Sequence, residues 1–431
     1  MSGLPRARIG VPIISDAGWM GGVQYVIHLV TALARVPEAE RPDIVLVLRP
    51  ELANALQLHA EILPFVSEIV VWGVDDKRLE RPGVRVIPTM EGLFERIDLL
   101  IPGHVMVASG MPIASWIPDF QQNVLPELFT SQDRDDRDAT SRRIGSQAEL
   151  LMLSSHAARR DWERFYPGAK PTVRVVPFRG ALEPSWFDTN PEEVAAKHGV
   201  REPFLICCNQ FWSHKGHDTL VRALGAMRRE GVTPRLVCTG ATTDYRSHTF
   251  FDELRALMAA EGLSDQIRLL GLVPRAEQIA LIRRSLAVVQ PSRFEGWSTV
   301  VEDARLLGKT IVMSDIDVHV EQAPRHGHYF RVGDAADLAA TLCALLPSLT
   351  PGPHVDHEEV ARHEADELLL DYGRRVVALS REMPSILSGN AQRSAMPLIE
   401  SVSEQPPADS ARPMSHVLEG LRKHVAAGRK P

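Results

Sequence analysis

The chain has 431 residues, 44% hydrophobic and 24% charged, with a formal net charge of −7 at pH 7. Such a length exceeds one ordinary core and predicts two domains, and the acidic balance argues against nucleic acid as the principal partner. No apolar run approaches the roughly 20 residues needed to cross a bilayer, and the four cysteines lack the spacing of a zinc site or a disulfide framework.

The N-terminal stretch MSGLPRARIGVPIIS runs straight into a predicted strand and lacks a signal-peptide cleavage pattern. The expectation is therefore a cytoplasmic protein with at most a peripheral contact at the inner face of the membrane. Continuous β-branched or leucine-rich runs predict strands over 9–14, 44–48, 68–72, 99–102, 113–117, 150–153 and 173–177. Helical spacing of Val26, Leu29, Val30 and Leu33 predicts a helix over 24–35. A Pro- and Gly-containing break follows over 179–200. A second series then predicts strands over 204–207, 235–239, 267–270, 287–290 and 310–313, with helices over 217–229, 250–261, 275–284, 299–307 and 335–346. Two successive α/β series imply two doubly wound, Rossmann-like parallel-sheet domains facing a central cleft. One further helix is predicted over 365–381, followed from 387 by a Ser-, Gln-, Pro- and Ala-rich stretch that reads as disordered. Near the end, Met414, Val417, Leu418, Leu421 and Val425 form one apolar helical stripe. It suits an anionic membrane surface, a partner contact or a frayed tail helix.

Ligands of open α/β sheets bind at the carboxyl ends of strands, so the strand-to-helix turns carry the functional signal. The first, SDAGWMGGVQ, places Gly18, Gly21 and Gly22 before a helix whose free N–H groups favour an anion, although a tight loop explains them equally well. The second, FLICCNQFWSHKGHDTL, brings Lys215 to the mouth of a helix, where ammonium and N–H groups suit a diphosphate. The third, PSRFEGWSTVVEDARLLGK, offers Ser298 as N-cap with Thr299 and Val300 as the first helical residues. Glu295, Glu302 and Asp303 lie in the same stretch. Two helix N-termini and a lysine converging on one cleft specify a nucleotide diphosphate or sugar phosphate.

These motifs resemble the family-four retaining glycosyltransferases of the GT-B fold over residues 8–385. GGVQYVIHLVTAL is similar to the family's N-terminal glycine loop, NQFWSHKGH to a variant of its phosphate loop, GLVPRAEQIALIRRS to its donor-base loop, and PSRFEGWSTVVEDARLLGK to its E-x7-E signature. The resemblance implies an acceptor-side domain over 1–180, a nucleotide-sugar domain over 181–364, a helix over 365–386 returning to the first domain, and a tail over 387–431. It implies transfer of a hexose from a nucleotide-diphosphate sugar to a hydroxyl acceptor such as a lipid-linked glycan, in polysaccharide biosynthesis, with retention and without a metal or other cofactor. Glu295 takes the place of the carboxylate beside the donor sugar. Lys215 takes that of the diphosphate cation, with Gly21, Gly22, Gln210, Ser298, Thr299 and Val300 around the phosphates. Asp303 takes the place of the ribose partner, and Gly271 and Leu272 that of the base-binding edge. Glu302 is then only a solvated neighbour on the helix.

Departures from the family pattern are visible. Asp303 is one methylene shorter than the usual glutamate, and Gln210 replaces the usual arginine five positions before the lysine. Pro118–Asp119 stands where the family often has His–Asp. Asp119 is a candidate for orienting the acceptor or for capping the next turn. The run SQDRDDRDATSRR mimics a metal-binding D-x-D but reads as a solvated helix start. His214, His217, His319 and His326 lack zinc-ligand spacing and read as surface or loop residues, and Trp212 and Trp297 as core. Two other readings stay open: a nucleotide-sugar epimerase of the same fold and a non-catalytic nucleotide-sugar-binding protein.

Overall fold

The computed structural model describes residues 6–15, 19–244, 246–247 and 249–391. Its first sheet contains β1 (Arg8–Pro12), β2 (Asp43–Leu48), β3 (Glu68–Trp72), β4 (Val84–Ile87), β5 (Leu99–His104), β6 (Ile113–Trp116), β7 (Leu150–Leu153) and β8 (Thr172–Val175). These strands run in the order β4-β3-β2-β1-β5-β6-β7-β8. The second sheet contains β9 (Phe204–Cys208), β10 (Arg235–Thr239), β11 (Ile267–Gly271), β12 (Val288–Gln290), β13 (Ile311–Ser314) and β14 (Gly327–Phe330), ordered β11-β10-β9-β12-β13-β14. All ladders are parallel; β1, for example, pairs with β2 from Arg8 opposite Asp43 to Pro12 opposite Val47. Strand order reverses between β1 and β5 and again between β9 and β12, and these two switch points position the site.

The helices that matter for the site are α1 (Met20–Arg35), α2 (Ser131–Gln147), α3 (His156–Phe165), α4 (His217–Arg229), α5 (Arg275–Arg284), α6 (Thr299–Leu306), α7 (Asp317–Gln322) and α8 (Val355–Ala391). The apolar-run strands form as the pattern predicts; the central ones are covered on both faces and need no polar alternation, whereas the edge strands β8 and β11 are half-exposed. The strands β4 and β14 escape sequence reading. Both are only four residues long, and exposed Arg85 in β4 and half-buried His328 and exposed Tyr329 in β14 break the apolar run. The charged run from Ser131 is the helix α2, closed by a capping box between Thr130 and Asp133, so the D-x-D spacing there is helical surface.

The helix α8 extends beyond its predicted bounds at both ends and includes residues 387–391, which the composition had assigned to a disordered linker. Apolar contacts with the first sheet continue to Ile386 and give this segment a reason to stay helical. The stripe at 414–425 lies outside the described residues. Early in α8, Ala365 packs in the core of the second sheet, whereas Leu369, Tyr372, Val376, Val377, Met383 and Ile386 belong to the core of the first. One helix thus ties both sheets together. Across the cleft, the Glu321 carboxylate of α7 accepts from the His156 and Ala157 N–H groups at 2.8 and 3.0 Å, capping α3 from the opposite unit. Arg160 and Asp317 pair beside it at 2.6 Å. Among the described residues, no helix is long and apolar enough to cross a membrane.

Where α8 crosses α1, Gly373 faces Ala32 so closely that an added methyl would overlap the Ala32 carbonyl oxygen and meet Val36 Cγ2 at 3.0 Å. Helix propensity alone favours alanine there by about 1 kcal/mol, but overpacking costs about 1–3 kcal/mol. Gly373→Ala should therefore lower the thermal midpoint. A raised midpoint would show that the two helices are free to move apart.

Candidate functional site

The carboxyl ends of β1, β5, β9 and β12 open onto one cavity of about 830 Å³ between the two sheets. Its second-sheet wall begins with β12. After Gln290 the chain turns through Pro291 and Ser292 and presents Glu295, which accepts from Lys215 Nζ at 2.7 Å (Oε1) and 2.9 Å (Oε2). Gln290 Nε2 and the Ser292 hydroxyl donate to Oε1 at 2.9 and 2.8 Å. The side chains of Lys215 and Glu295 are only 16% and 9% exposed, so the pair sits in a low-dielectric wall and not on a surface. Gly296 lies against Pro118 and Asp119, and a side chain there would overlap the Pro118 carbonyl oxygen. The close approach brings the Glu295 loop against the first unit.

The helix α6 starts where the sequence places it. Ser298 is its N-cap, accepting from Val301 N–H at 3.4 Å. The Ser298 N–H itself, however, donates to Gln322 Oε1 at 3.1 Å and is not left for a phosphate. The N–H groups of Thr299 and Val300 precede the first intrahelical bond, from Glu302 N–H to the Ser298 carbonyl, and both residues line the cavity. The free N–H groups at the cavity end of α6 are thus those of Thr299 and Val300, with Ser298 holding that end in shape.

Asp303 and Glu302 are both buried, and both already hold arginine partners. Asp303 lines the cavity but is already paired. Arg275 of α5 donates to Asp303 Oδ2 through Nη1 at 2.7 Å and to Oδ1 through Nη2. Burial works against the Arg275 charge, but the Asp303 carboxylate outweighs it and holds the guanidinium above its ordinary pKa. Glu302 is not solvated. It is 2% exposed and receives Arg179 Nη1 at 3.3 Å and Gln322 Nε2 at 3.2 Å, with Arg305 at 3.6 Å. Its helix face packs under the linker after β8, a placement that helical periodicity within α6 cannot reveal.

Other expected residues divide cleanly. Lys215, Gln210, Gly21, Leu272, Asp119, Thr299 and Val300 line the cavity, whereas Gly22 and Gly271 do not. Gly22 is buried against Ser15 Oγ and the Trp19 ring, each 2.6 Å from a hypothetical Cβ, and serves packing. Gly271 adopts φ +68° and its carbonyl accepts from Gly240 N–H at 2.8 Å, a turn that leaves Leu272 exposed at the rim. Gly18 lies outside the described residues. Asp119 caps the following turn, accepting from Gln121 N–H at 3.0 Å, and also faces Arg137 at 3.4 Å.

Several cavity residues went unrecognised in the sequence: Trp19, His104, Arg137, Arg246 and Arg275. His104 ends β5 at the first switch point, and that position was the available signal. Its ring lies 5.3 Å from Trp19 and 5.6 Å from Trp116. Burial, reinforced by Arg137, pushes its pKa down to about 4 against an upward pull from Asp119, so the ring is neutral at pH 7. Trp19 and Trp116 stack at 6.1 Å and form an aromatic first-unit wall. Contrary to expectation, His214, His217 and His319 are buried; His326 lies half-buried in a turn, as expected, and stacks on His357 at 4.3 Å. His214 is held neutral by burial and by Lys215, Arg246 and Arg293. His319 stands behind Glu295; burial lowers its pKa to about 4 although Glu295 draws it upward. Trp297 is buried as expected, but Trp212 is only partly covered and lines the cavity. Among the described residues, no group of three or more His, Cys, Asp and Glu is arranged to hold a metal ion.

Residues 202–348 match the family model described as glycosyl transferases group 1. The chain is 31% identical over 203 residues, 46% of its length, to the lipopolysaccharide core biosynthesis mannosyltransferase LpcC of Rhizobium leguminosarum bv. viciae. It spans only 56% of that relative's length. Anabaena HepE, solved with UDP-glucose, superposes with a TM-score of 0.53 at 15% identity, covering 89% of this chain and 99% of that one. Sucrose-phosphate synthase of Thermosynechococcus elongatus superposes with a TM-score of 0.51 at 15% identity, covering 90% and 100%. The fold is accordingly GT-B, two parallel-sheet domains facing a cleft.

Two outcomes follow from the burial pattern. Glu302→Ala strands Arg179 and Arg305 without their carboxylate and should destabilise the fold by about 3 kcal/mol in urea denaturation; an unchanged midpoint would return Glu302 to a solvated role. His28 and His319, lowered by burial to about 3 and about 4, stay neutral in the fold while the unfolded chain protonates below about 6.5. Stability should therefore fall as pH drops from about 6.5 toward 4, by about 1 kcal/mol per unit for each histidine. His319→Gln should flatten that dependence, and an identical slope in the variant would refute the assignment.

Proposed function

We propose that the protein is a retaining glycosyltransferase that moves a hexose from a nucleotide-diphosphate sugar to a hydroxyl of a glycan or lipid-linked glycan, without a metal ion. The observation that carries the proposal is the buried Lys215–Glu295 pair beside the open N-terminus of α6, at the meeting of two switch points. The group 1 glycosyltransferase match over 202–348 supports it, since that segment contains Lys215, Arg275, Glu295 and Asp303. HepE, solved with UDP-glucose, and the mannosyltransferase LpcC support a hexose donor.

The chemistry follows from where charge develops. As the glycosidic bond to the diphosphate breaks, the sugar ring gains positive charge and the leaving oxygen gains negative charge. Glu295, paired with Lys215 and aimed by Gln290 and Ser292, stabilises the ring. Lys215 and the Thr299 and Val300 N–H groups stabilise the diphosphate. Preorganised donors of this kind contribute about 10²–10³ in rate each. The departing phosphate accepts the acceptor's proton, so no separate base is needed. On the opposite wall, Trp19 and Trp116 offer a flat apolar face to an acceptor sugar, and Asp119, Arg137 and neutral His104 offer hydrogen bonds to its hydroxyls. A lipopolysaccharide-type acceptor fits the named activity of LpcC.

Incubation with UDP- and GDP-hexoses, followed by NMR of the released anomer, tests the proposal. Slow donor hydrolysis with retention is expected. Glu295→Gln should reduce it at least about 10²-fold while nucleoside diphosphate affinity changes little. Wild-type turnover in that variant would overturn the role of Glu295. Interconversion of the sugar would identify an epimerase instead, and thermal stabilisation without turnover a binding protein.

A further inference from the structure

The strand-to-helix turn after β11 delivers Arg275 to the same wall that carries Asp303. The arginine is held on three sides. Its end-on fork occupies both Asp303 oxygens, Nη1 also donates to Gln278 Oε1 at 2.9 Å, and the guanidinium lies 5.2 Å from the Trp186 ring centroid. Gln278 is itself fixed, donating to Thr239 Oγ1 at 3.2 Å. Guanidinium stacking and a bidentate carboxylate leave few rotamers, so the group is preorganised.

Exposure separates the two partners. The Asp303 side chain is 5% exposed and that of Arg275 is 28% exposed, so a ligand in the cavity meets the arginine first. Both Nη1 protons are used, by Asp303 and Gln278, whereas Nη2 spends one on Asp303 and keeps one for a ligand. Asp303 follows Thr299 by four residues, which places the pair about one helical turn, roughly 5.4 Å, beyond the N–H groups that face phosphate. At that distance from the diphosphate of a nucleotide lies its ribose.

We propose that Arg275 is the residue that reads the ribose hydroxyls, and that Asp303 is its positioning partner and not the ribose ligand. The proposal rests on the nucleotide-sugar reading above. It explains why aspartate suffices here: the guanidinium stands where a longer carboxylate would have to extend. Restoring glutamate at 303 then pushes against Arg275 instead of improving recognition.

Isothermal titration of the full chain with UDP and GDP, and with their 2′-deoxy and 3′-deoxy forms, tests it. The wild type should prefer the ribonucleotide of the base it accepts over at least one deoxy form by about tenfold, the worth of one charge-assisted hydrogen bond. Arg275→Gln and Arg275→Lys should bring that ratio near one, the lysine variant keeping the charge beside Asp303 so that the fold is retained. Asp303→Glu should weaken ribonucleotide binding, and Asp303→Glu combined with Arg275→Ala should restore the preference. An unchanged ratio in Arg275→Lys, or tighter binding in Asp303→Glu alone, overturns the proposal. Equal binding of ribo and deoxy forms by the wild type overturns it while leaving the function intact. Failure of the wild type to bind either nucleoside diphosphate overturns the function itself.

Discussion

The Lys215–Glu295 ion pair is the constraint around which the second unit is arranged. Two charges this deeply covered carry a desolvation penalty that their attraction alone need not offset. The offset here comes from additional hydrogen bonds. Gln290, at the end of β12, donates to Glu295 and accepts from Asn209 Nδ2 at 2.7 Å, which ties the carboxylate to the adjacent strand β9. Lys215 arrives from the turn after β9, and Glu295 from the turn after β12. The pair can exist only because those strands are neighbours, although 80 residues separate its members in sequence.

A second polar network supports the first from behind. Gln322 of α7 accepts from Ser298 N–H, donates to the Ser298 carbonyl at 3.0 Å, and donates to Glu302. Its neighbour Glu321 caps α3 in the opposite unit. One short helix therefore holds the N-terminus of α6 in place with one residue and the far side of the cleft with the next. Buried networks of this kind are costly when only partly satisfied, which explains why Glu302, Gln322 and Arg179 occur together. The α6 stretch thus contains three acids with three distinct fates. Glu295 faces the cavity beside a lysine, Asp303 holds an arginine, and Glu302 closes an internal network.

Much of the architecture was legible because parallel strands covered on both faces leave continuous apolar runs, and because glycine and proline mark the turns between them. The strands β4 and β14 were not legible, since each is only four residues long and exposed Arg85 or Tyr329 interrupts its apolar run. The end of α8 was misread because residues 387–391 have a linker-like composition, yet Ile386 docks on the first core and the helix continues past it. In the candidate site, the third turn was legible from its acids, its N-cap and the following apolar run. Gly22 and Gly271 were not, because a glycine needed for close packing or for positive φ looks the same in sequence as one that meets a ligand.

By itself the sequence determined the two α/β series, the strand-to-helix turns between them, and the presence of Glu295 and Lys215 in two of those turns. Those are properties of local pattern and of side-chain chemistry. Only the tertiary structure decided which charges are already satisfied. Arg275 reaches Asp303 from another helix, Gln322 takes the Ser298 N–H, and Arg179 and Arg305 claim Glu302. Hydrogen bonds and ion pairs between residues remote in sequence form only once strand order has placed their elements side by side, and no local periodicity encodes them.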